Sequence, residues 1–284
     1  MVLLMQPIDN HPFGLNGRTA LITGGTQGVG AAIAKSIAAA GADVILHGLT
    51  VDQHALASQA ACRTYGVRCE VLAIDLSLPQ PEVTQQLLQA IDTLGWQVDL
   101  LVNNAGTYID QPFLEMDPER FEKTMRINVA SGYYLTQAFA RRWVREKVDG
   151  RVLFTGSING ILAEADHVAY DCSKGAVAAM VRSLCVALAP RGIRVNSLAP
   201  GLVRTPLTNV VIDDPAFDDW MSLHTPTGKV PDSAVCGPPA VFLLSDAAAH
   251  IHGQTLLVDG GMSVWQQPDL PQRWRDSMPA SNDG

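Results

Sequence analysis

Ser157, Tyr170 and Lys174 have side chains and spacing that could do chemistry together. Tyr170 and Lys174 are four residues apart, so a helix would put the phenol and the ammonium on one face. Ser157 precedes them by a stretch short enough for a loop to fold its hydroxyl back onto the same cleft. Free tyrosine has a pKa of about 10 and is a poor base near neutrality. A neighbouring Lys ammonium favours the phenolate and lowers that value. The phenolate could then take a proton from a substrate alcohol while the serine fixes the oxygen. Tyr-x-x-x-Lys pairs are also ordinary on helix surfaces, so the elements around this one decide what it does.

The elements are arranged to position such a cleft. Val152–Thr155 is a short apolar run that predicts a buried strand, and a helix-compatible segment follows from Tyr170 to about Ala189, ended by Pro190 and Gly192. Near the start, Thr19–Ile22 predicts another buried strand. It runs into Thr23-Gly24-Gly25-Thr26-Gln27-Gly28-Val29-Gly30, with an alanine-rich helix from Ala31 to about Ala40 closed by Gly41. In a strand–turn–helix context, glycines let the backbone approach a pyrophosphate and the helix N-terminus attracts its charge. The spacing then predicts strand 43–47, helix 52–65, strand 68–74, helix 80–94 and strand 98–102. Asn103-Asn104-Ala105-Gly106 closes that strand at the end where open α/β sheets bind ligands. Asp117 as N-cap and Pro118 in the first turn open a helix expected to reach about Lys147. It carries Asn128 in mid-helix, a residue that could bend the helix or hold a water. After strand 194–198 come Pro200-Gly201. The stretch of about 202–232 lacks clear periodicity and reads as a substrate lid containing Trp220 and Met221. A helix over 234–244 and a strand over 255–258 complete the pattern. Alternation of strands and helices with no repeat implies one α/β domain, a parallel sheet covered on both faces.

The ends are less regular. Residues 1–17 read as an extended lead-in. The tail of about 265–284 reads as frayed, with Trp265 and Trp274 able to anchor it on a neighbouring subunit. A net charge of -8 argues against nucleic-acid binding, and no apolar run approaches the roughly 18 residues of a membrane span. Five cysteines without a Cys-x-x-Cys pair, and scattered histidines without ligand spacing, indicate no metal and a reduced, cytoplasmic setting. Cys172 between Tyr170 and Lys174 could be chemically accessible, though free cysteine more often packs as a small apolar residue.

Taken together, these motifs resemble the short-chain dehydrogenase/reductase family, single-domain subgroup, over roughly residues 17–263. The resemblance rests on Thr23-Gly-x-x-x-Gly28-x-Gly30, Asn103-Asn-Ala-Gly106, Asn128, Ser157, Tyr170-x-x-x-Lys174 and Pro200-Gly201, in the family's order. It implies a Rossmann-type doubly wound sheet of about seven parallel strands, a nicotinamide cofactor and a homotetramer built on the long helices. It also implies roles. Tyr170 would be the general acid/base, and Lys174 would bind the nicotinamide ribose and depress the Tyr170 pKa. Ser157 would bond the substrate oxygen, and Asn128 would support a water-linked proton relay. The implied cofactor-binding set is Gly24, Thr26, Gln27, Gly28, Val29, Gly30, Gly48, Leu49, Asp75, Leu76, Asn104, Ala105, Gly106, Tyr170, Lys174, Pro200, Gly201, Val203 and Thr205.

One departure bears on the cofactor. NAD-dependent members often have an acid near the Gly48 position, and NADP-dependent members often have Arg at the Leu49 position or a basic residue in the glycine loop. This chain has neither, since Thr26 and Gln27 are uncharged. A 2′-phosphate without a cation loses charge-assisted bonds, which favours NAD, with NADP possible. The pocket is expected to be lined by Thr107, Tyr108, Ile158, Asn159, Gly160, His167 and Leu202, a mixed set that suits a secondary alcohol or ketone. His167 reads either as a contact to a substrate hydroxyl or as a loop histidine. The favoured activity is oxidation of a polyol, sugar or sugar acid. The alternatives are an NADPH-dependent 3-oxoacyl-type reductase and a non-catalytic nucleotide sensor. The sensor would be expected to lack Tyr170 or Lys174. The reductase would need a basic docking patch, and Arg141, Arg142 and Arg145 form a basic cluster on a helix expected at a subunit interface.

Overall fold

The computed structural model describes residues 11–109 and 111–265. Among the described residues, seven strands form one parallel sheet in the order β3-β2-β1-β4-β5-β6-β7. They are β1 (Thr19–Ile22), β2 (Asp43–Gly48), β3 (Cys69–Ala73), β4 (Leu100–Asn103), β5 (Arg151–Thr155), β6 (Arg194–Pro200) and β7 (Thr255–Val258). The helices are α1 (Gly28–Ala39), α2 (Gln53–Arg63), α3 (Glu82–Leu94), α4 (Pro118–Met125), α5 (Ser131–Glu146), α6 (Val168–Leu188), α7 (Asn209–Ile212), α8 (Pro215–Leu223) and α9 (Gly237–Leu244). The parallel sheet covered on both faces that the alternation predicts is observed, and so is the doubly wound Rossmann-type order that the family resemblance implies. β1 pairs with both β2 and β4, so the strand order reverses there and opens a crevice at the carboxyl ends of β1 and β4.

Central strands are apolar on both faces because each face meets a helix layer. On one side Ile33 and Ile37 of α1 and Leu243 and Leu244 of α9 pack against Ala20, Ile22, Val44 and Val102. On the other, Leu87 and Ile91 of α3, Phe139 and Trp143 of α5 and Val181 of α6 pack against Leu21, Leu101 and Val195. Burying each large apolar side chain contributes about 1.5–3 kcal/mol. Trp143 also satisfies its indole, donating to Val98 O at 2.6 Å. Both layers hold the strand ends that carry the site.

Three expectations change. The helix expected over 117–147 is interrupted at Arg126–Ala130 by a π turn, in which Ser131 N–H reaches back five residues to Arg126 O. Its start stands as read, with Asp117 accepting from Arg120 N at 2.9 Å. The unpatterned 202–232 stretch contains α7 and α8, the latter capped by Asp214. The basic cluster is divided, with Arg142 paired to Asp92 at 2.7 Å and Arg145 to Glu146 at 2.6 Å, so it forms no single docking patch. Trp265 is partly exposed. Trp274 and the rest of the expected tail lie outside the described residues, as do the first ten residues of the lead-in.

Candidate active site

The nucleotide half of the crevice is built by the β1–α1 turn. Gly24 and Gly28 sit at φ +60° and +55°, a region that strains other residues. A Cβ on Gly30 would stand 2.1 Å from Gly24 O, so the turn closes only around a bare backbone. Helix α1 begins at Gly28, earlier than expected, which puts Gly28, Val29 and Gly30 inside its first turn. Its N-terminus has no side-chain cap and no acidic residue in that turn. Its first N–H groups and the positive end of its dipole suit an anion. These features fit the pyrophosphate of a dinucleotide.

Neighbouring elements lock this turn. Asn104 donates from Nδ2 to Thr23 O at 3.1 Å and to Gly24 O at 3.0 Å, while its own N–H and that of Ala105 bond Thr23 Oγ1. Thr155 Oγ1 donates to Asn104 Oδ1 at 3.0 Å, which ties β5 to the same knot. His47, at the end of β2, accepts from Gly24 N on Nδ1 at 3.4 Å and bonds Ile74 O through Nε2 at 2.8 Å. Burial pushes its pKa down to about 4, so the ring is neutral and can accept. A histidine within an apolar strand gave no sequence signal of this role. Gly48 passes so close to Thr26 that a Cβ would lie 2.7 Å from its methyl. Leu49 is exposed. Asp75 folds its carboxylate onto Ser77 N at 2.8 Å and Leu76 is buried. On the far side a pocket of about 310 Å³ joins Gly28 to Arg204 and Thr205. A Cβ on Gly28 would meet the Thr205 side chain at 3.3 Å. Val203 is buried, and Pro200-Gly201 ends β6, with Gly201 N bonded to Val258 O at 3.0 Å.

The reactive half gathers Ser157, Tyr170, Lys174 and Asn128. Tyr170 and Lys174 lie one turn apart on α6, and Lys174 Nζ is 5.4 Å from the Tyr170 ring centre. Nζ donates to Thr155 O at 2.9 Å. The Ser157 hydroxyl lies near enough to Tyr170 to pull its pKa down as a hydrogen-bonding neighbour, and its Oγ accepts from Asn159 N at 3.1 Å. Asn128, in the π turn, accepts from Thr107 N at 2.7 Å and donates to Thr107 O and to Ser173 Oγ, each at 3.0 Å. Its side chain thus fixes the segment after β4 onto α6.

The expected depression of the Tyr170 pKa is not seen in the structure. Burial pushes the phenol up to about 12. The Ser157 bond opposes this, while the Asp171 and Glu164 carboxylates add to it. Burial alone pulls Lys174 down to about 8. The ammonium points at a carbonyl rather than at the phenol oxygen, so it does not offset desolvation.

Beyond Tyr170 a chain of polar groups rims the cleft. Tyr108 packs edge-on against Tyr170, ring centres 5.1 Å apart, and its hydroxyl bonds His167 Nε2. His167 Nδ1 is 2.9 Å from Glu164 Oε2. Asn159 Nδ2 donates to Glu164 Oε1 at 3.0 Å and to Asp171 Oδ1 at 2.8 Å. His167 and Tyr108 were expected in the pocket. Glu164 was missed, because only the folded 157–167 loop reveals its place.

The chain is similar to known proteins over most of its length. A family model described as enoyl-(acyl carrier protein) reductase matches residues 24–263. The chain is 33% identical to an L-rhamnose 1-dehydrogenase (NAD(P)(+)) of a Sphingomonas species, over 88% of this chain and 98% of that one. It is 32% identical to a glucose 1-dehydrogenase of Gluconobacter oxydans, over 91% and 96%. A gluconate 5-dehydrogenase of Burkholderia cenocepacia, solved with NADP and tartrate, superposes with a TM-score of 0.83 at 30% identity, covering 90% of this chain and 98% of that one.

Proposed function

The chain belongs to the short-chain dehydrogenase/reductase family, and from that premise we propose that it is an NAD(P)-dependent oxidoreductase interconverting a CH–OH group and a carbonyl on a sugar, polyol or sugar acid. The observation that carries the reading is the juxtaposition of the Ser157–Tyr170 pair with the glycine turn, across Asn104 and Thr155. The bound nicotinamide nucleotide supplies the hydride acceptor or donor. Ser157 Oγ holds the substrate oxygen, and the Tyr170 oxygen takes its proton in oxidation and returns it in reduction. Lys174 is anchored to Thr155 O beside the cleft, positioned for a ribose hydroxyl. Screening neutral sugars, polyols and aldonates with each nucleotide tests the reading. Turnover of at least one of them is expected, and turnover of 3-oxoacyl thioesters alone would overturn it.

NAD is the preferred nucleotide in this reading. No cation stands at Gly48, Leu49 or Thr50, and the nearby Asp52 carboxylate caps α2. Leu49 is 67% exposed, so an arginine there could reach a 2′-phosphate without repacking. Leu49→Arg is expected to tighten NADPH binding about tenfold, one charge-assisted bond being worth about 1.5–3 kcal/mol, with NADH affinity nearly unchanged. Fluorescence titration with both nucleotides measures this, and unchanged NADPH affinity would misplace residue 49.

The same reading includes a cytoplasmic homotetramer. Helix α6 and the turn after it, Val168–Arg191, are long and apolar enough by length and composition to cross a membrane, with only 22% of the most apolar window buried. Yet α6 carries Tyr170 and packs on the sheet, so its outer face, with Val186 at 78% exposure, suits another copy of the chain. Light scattering should show four chains in the wild type and fewer in Val186→Asp.

A further inference from the structure

We propose that Asn159 is a positioning residue for the reaction, whose amide, clamped by two carboxylates, aims the Ser157 hydroxyl at the reacting oxygen without itself binding substrate. The proposal rests on the sugar-oxidoreductase reading above and deepens it. Asn159 is buried, at 7% exposure, in the turn that follows Ser157. Its Nδ2 donates to Glu164 Oε1 at 3.0 Å and to Asp171 Oδ1 at 2.8 Å. Carboxylates only accept, so the end of the amide that meets them carries its two protons. The other end, Oδ1, is thereby fixed as the acceptor facing Ser157 Oγ, at 3.4 Å. Both amide protons are committed, which leaves no donor for a sugar hydroxyl. Asn159, expected from the sequence to line the pocket, acts through its neighbour instead.

One residue thus governs both the lone pairs and the proton of Ser157. The Asn159 backbone N–H donates to Oγ at 3.1 Å, and the Asn159 side chain accepts the Oγ proton. The first bond polarises the hydroxyl and makes it a better donor. The second is long for an O–H···O bond. It gives the proton a direction and releases it at little cost when an oxygen gaining negative charge arrives, because a bond to that oxygen is charge-assisted. The clamp is anchored on the helix that carries the acid/base. Asp171 follows Tyr170 in α6, and its second oxygen, Oδ2, accepts from Glu164 N at 3.0 Å. The turn also packs directly on α6, where a Cβ on Gly160 would stand 3.2 Å from Lys174 O. Ser157 follows β5 and Tyr170 belongs to α6, so these bonds set the spacing between the two hydroxyls. Loosening them displaces the serine without touching the glycine turn, whose supports are Asn104 and His47.

The test measures kcat, KM and NADH affinity for Asn159→Ala and Asn159→Ser, each alone and combined with Ser157→Ala, on the neutral sugar, polyol or aldonate that the wild type turns over fastest. Serine can still donate to one carboxylate but is too short to put an acceptor where Oδ1 stands. Both single variants are expected to lose about tenfold in kcat through misplacement of the hydroxyl, with KM and NADH affinity within about twofold of wild type. Ser157→Ala should lose about a hundredfold, the low end for removing one donor to a developing oxyanion. On its residual rate the Asn159 substitutions should act by less than about twofold, since the group they position is gone. A near-wild-type kcat in either single variant, a loss carried by KM or by NADH affinity, or losses that multiply with that of Ser157→Ala would overturn the proposal and leave the sugar reading standing. Absence of wild-type turnover across the whole panel would overturn both.

Discussion

Tyr170→Phe should lower kcat by roughly a thousandfold or more, the upper range for loss of a positioned acid/base, while nucleotide affinity changes little. The glycine turn and its Asn104 and His47 supports do not use the phenol, so the variant separates chemistry from binding. The pH profile of the wild type carries the same signature. Because burial holds the phenol at about 12, it is protonated at neutral pH and the phenolate is the minor form. Oxidation draws on the phenolate, so its kcat/KM should rise with pH through the alkaline range, about tenfold per unit until the governing group is titrated. Reduction draws on the phenol and should stay flat over the same range. Steady-state rates in both directions measure this, and oxidation independent of pH would remove Tyr170 from the proton path.

Lys174→Met should abolish most activity yet stabilise the nucleotide-free fold. Burial lowers the Lys174 pKa from 10.5 to about 8. Below about 8 the lysine is charged both folded and unfolded, and the fold bears the full cost of burying that charge. Between 8 and 10.5 the folded chain has lost the proton while the unfolded chain keeps it, so stability rises with pH; above 10.5 the difference vanishes. At pH 7 the cost is ~3 kcal/mol at 1.36 kcal/mol per pKa unit. Losing the bond to Thr155 O offsets ~1 kcal/mol of the gain. The net, ~2 kcal/mol, predicts a Tm several degrees higher at pH 7, with the difference shrinking toward pH 10. A lower Tm at pH 7 would mean that Lys174 supports the fold rather than straining it.

The strands could be read from sequence because a parallel sheet buried on both faces demands continuous apolar runs, as in Ala20–Ile22 and Leu100–Val102. Tyr170 and Lys174 were legible because helical spacing alone aligns them. Asn128 marked the place where the helix could bend, but not the π turn itself, whose reason, the two bonds to Thr107, lies twenty-one residues away. The helices of the 202–232 stretch, α7 and α8, are too short for a periodic signal, although Asp214-Pro215 has the cap and first-turn residues of α8. His47 looks like a core residue until its ring is seen against Gly24 and Ile74. Whether Lys174 lowers the Tyr170 pKa depends on where Nζ points, which spacing does not specify.

The most direct test of the central claim is the fate of carbon-bound hydrogen. The protein is given NAD and a sugar deuterated at its carbon-bound positions, and the recovered nucleotide is weighed by mass spectrometry. Deuterium in the reduced nicotinamide, formed by the wild type and strongly suppressed in Tyr170→Phe, is the predicted result. Sugar consumed with the label released to water, or labelled nucleotide formed as fast by Tyr170→Phe, would contradict hydride transfer governed by Tyr170.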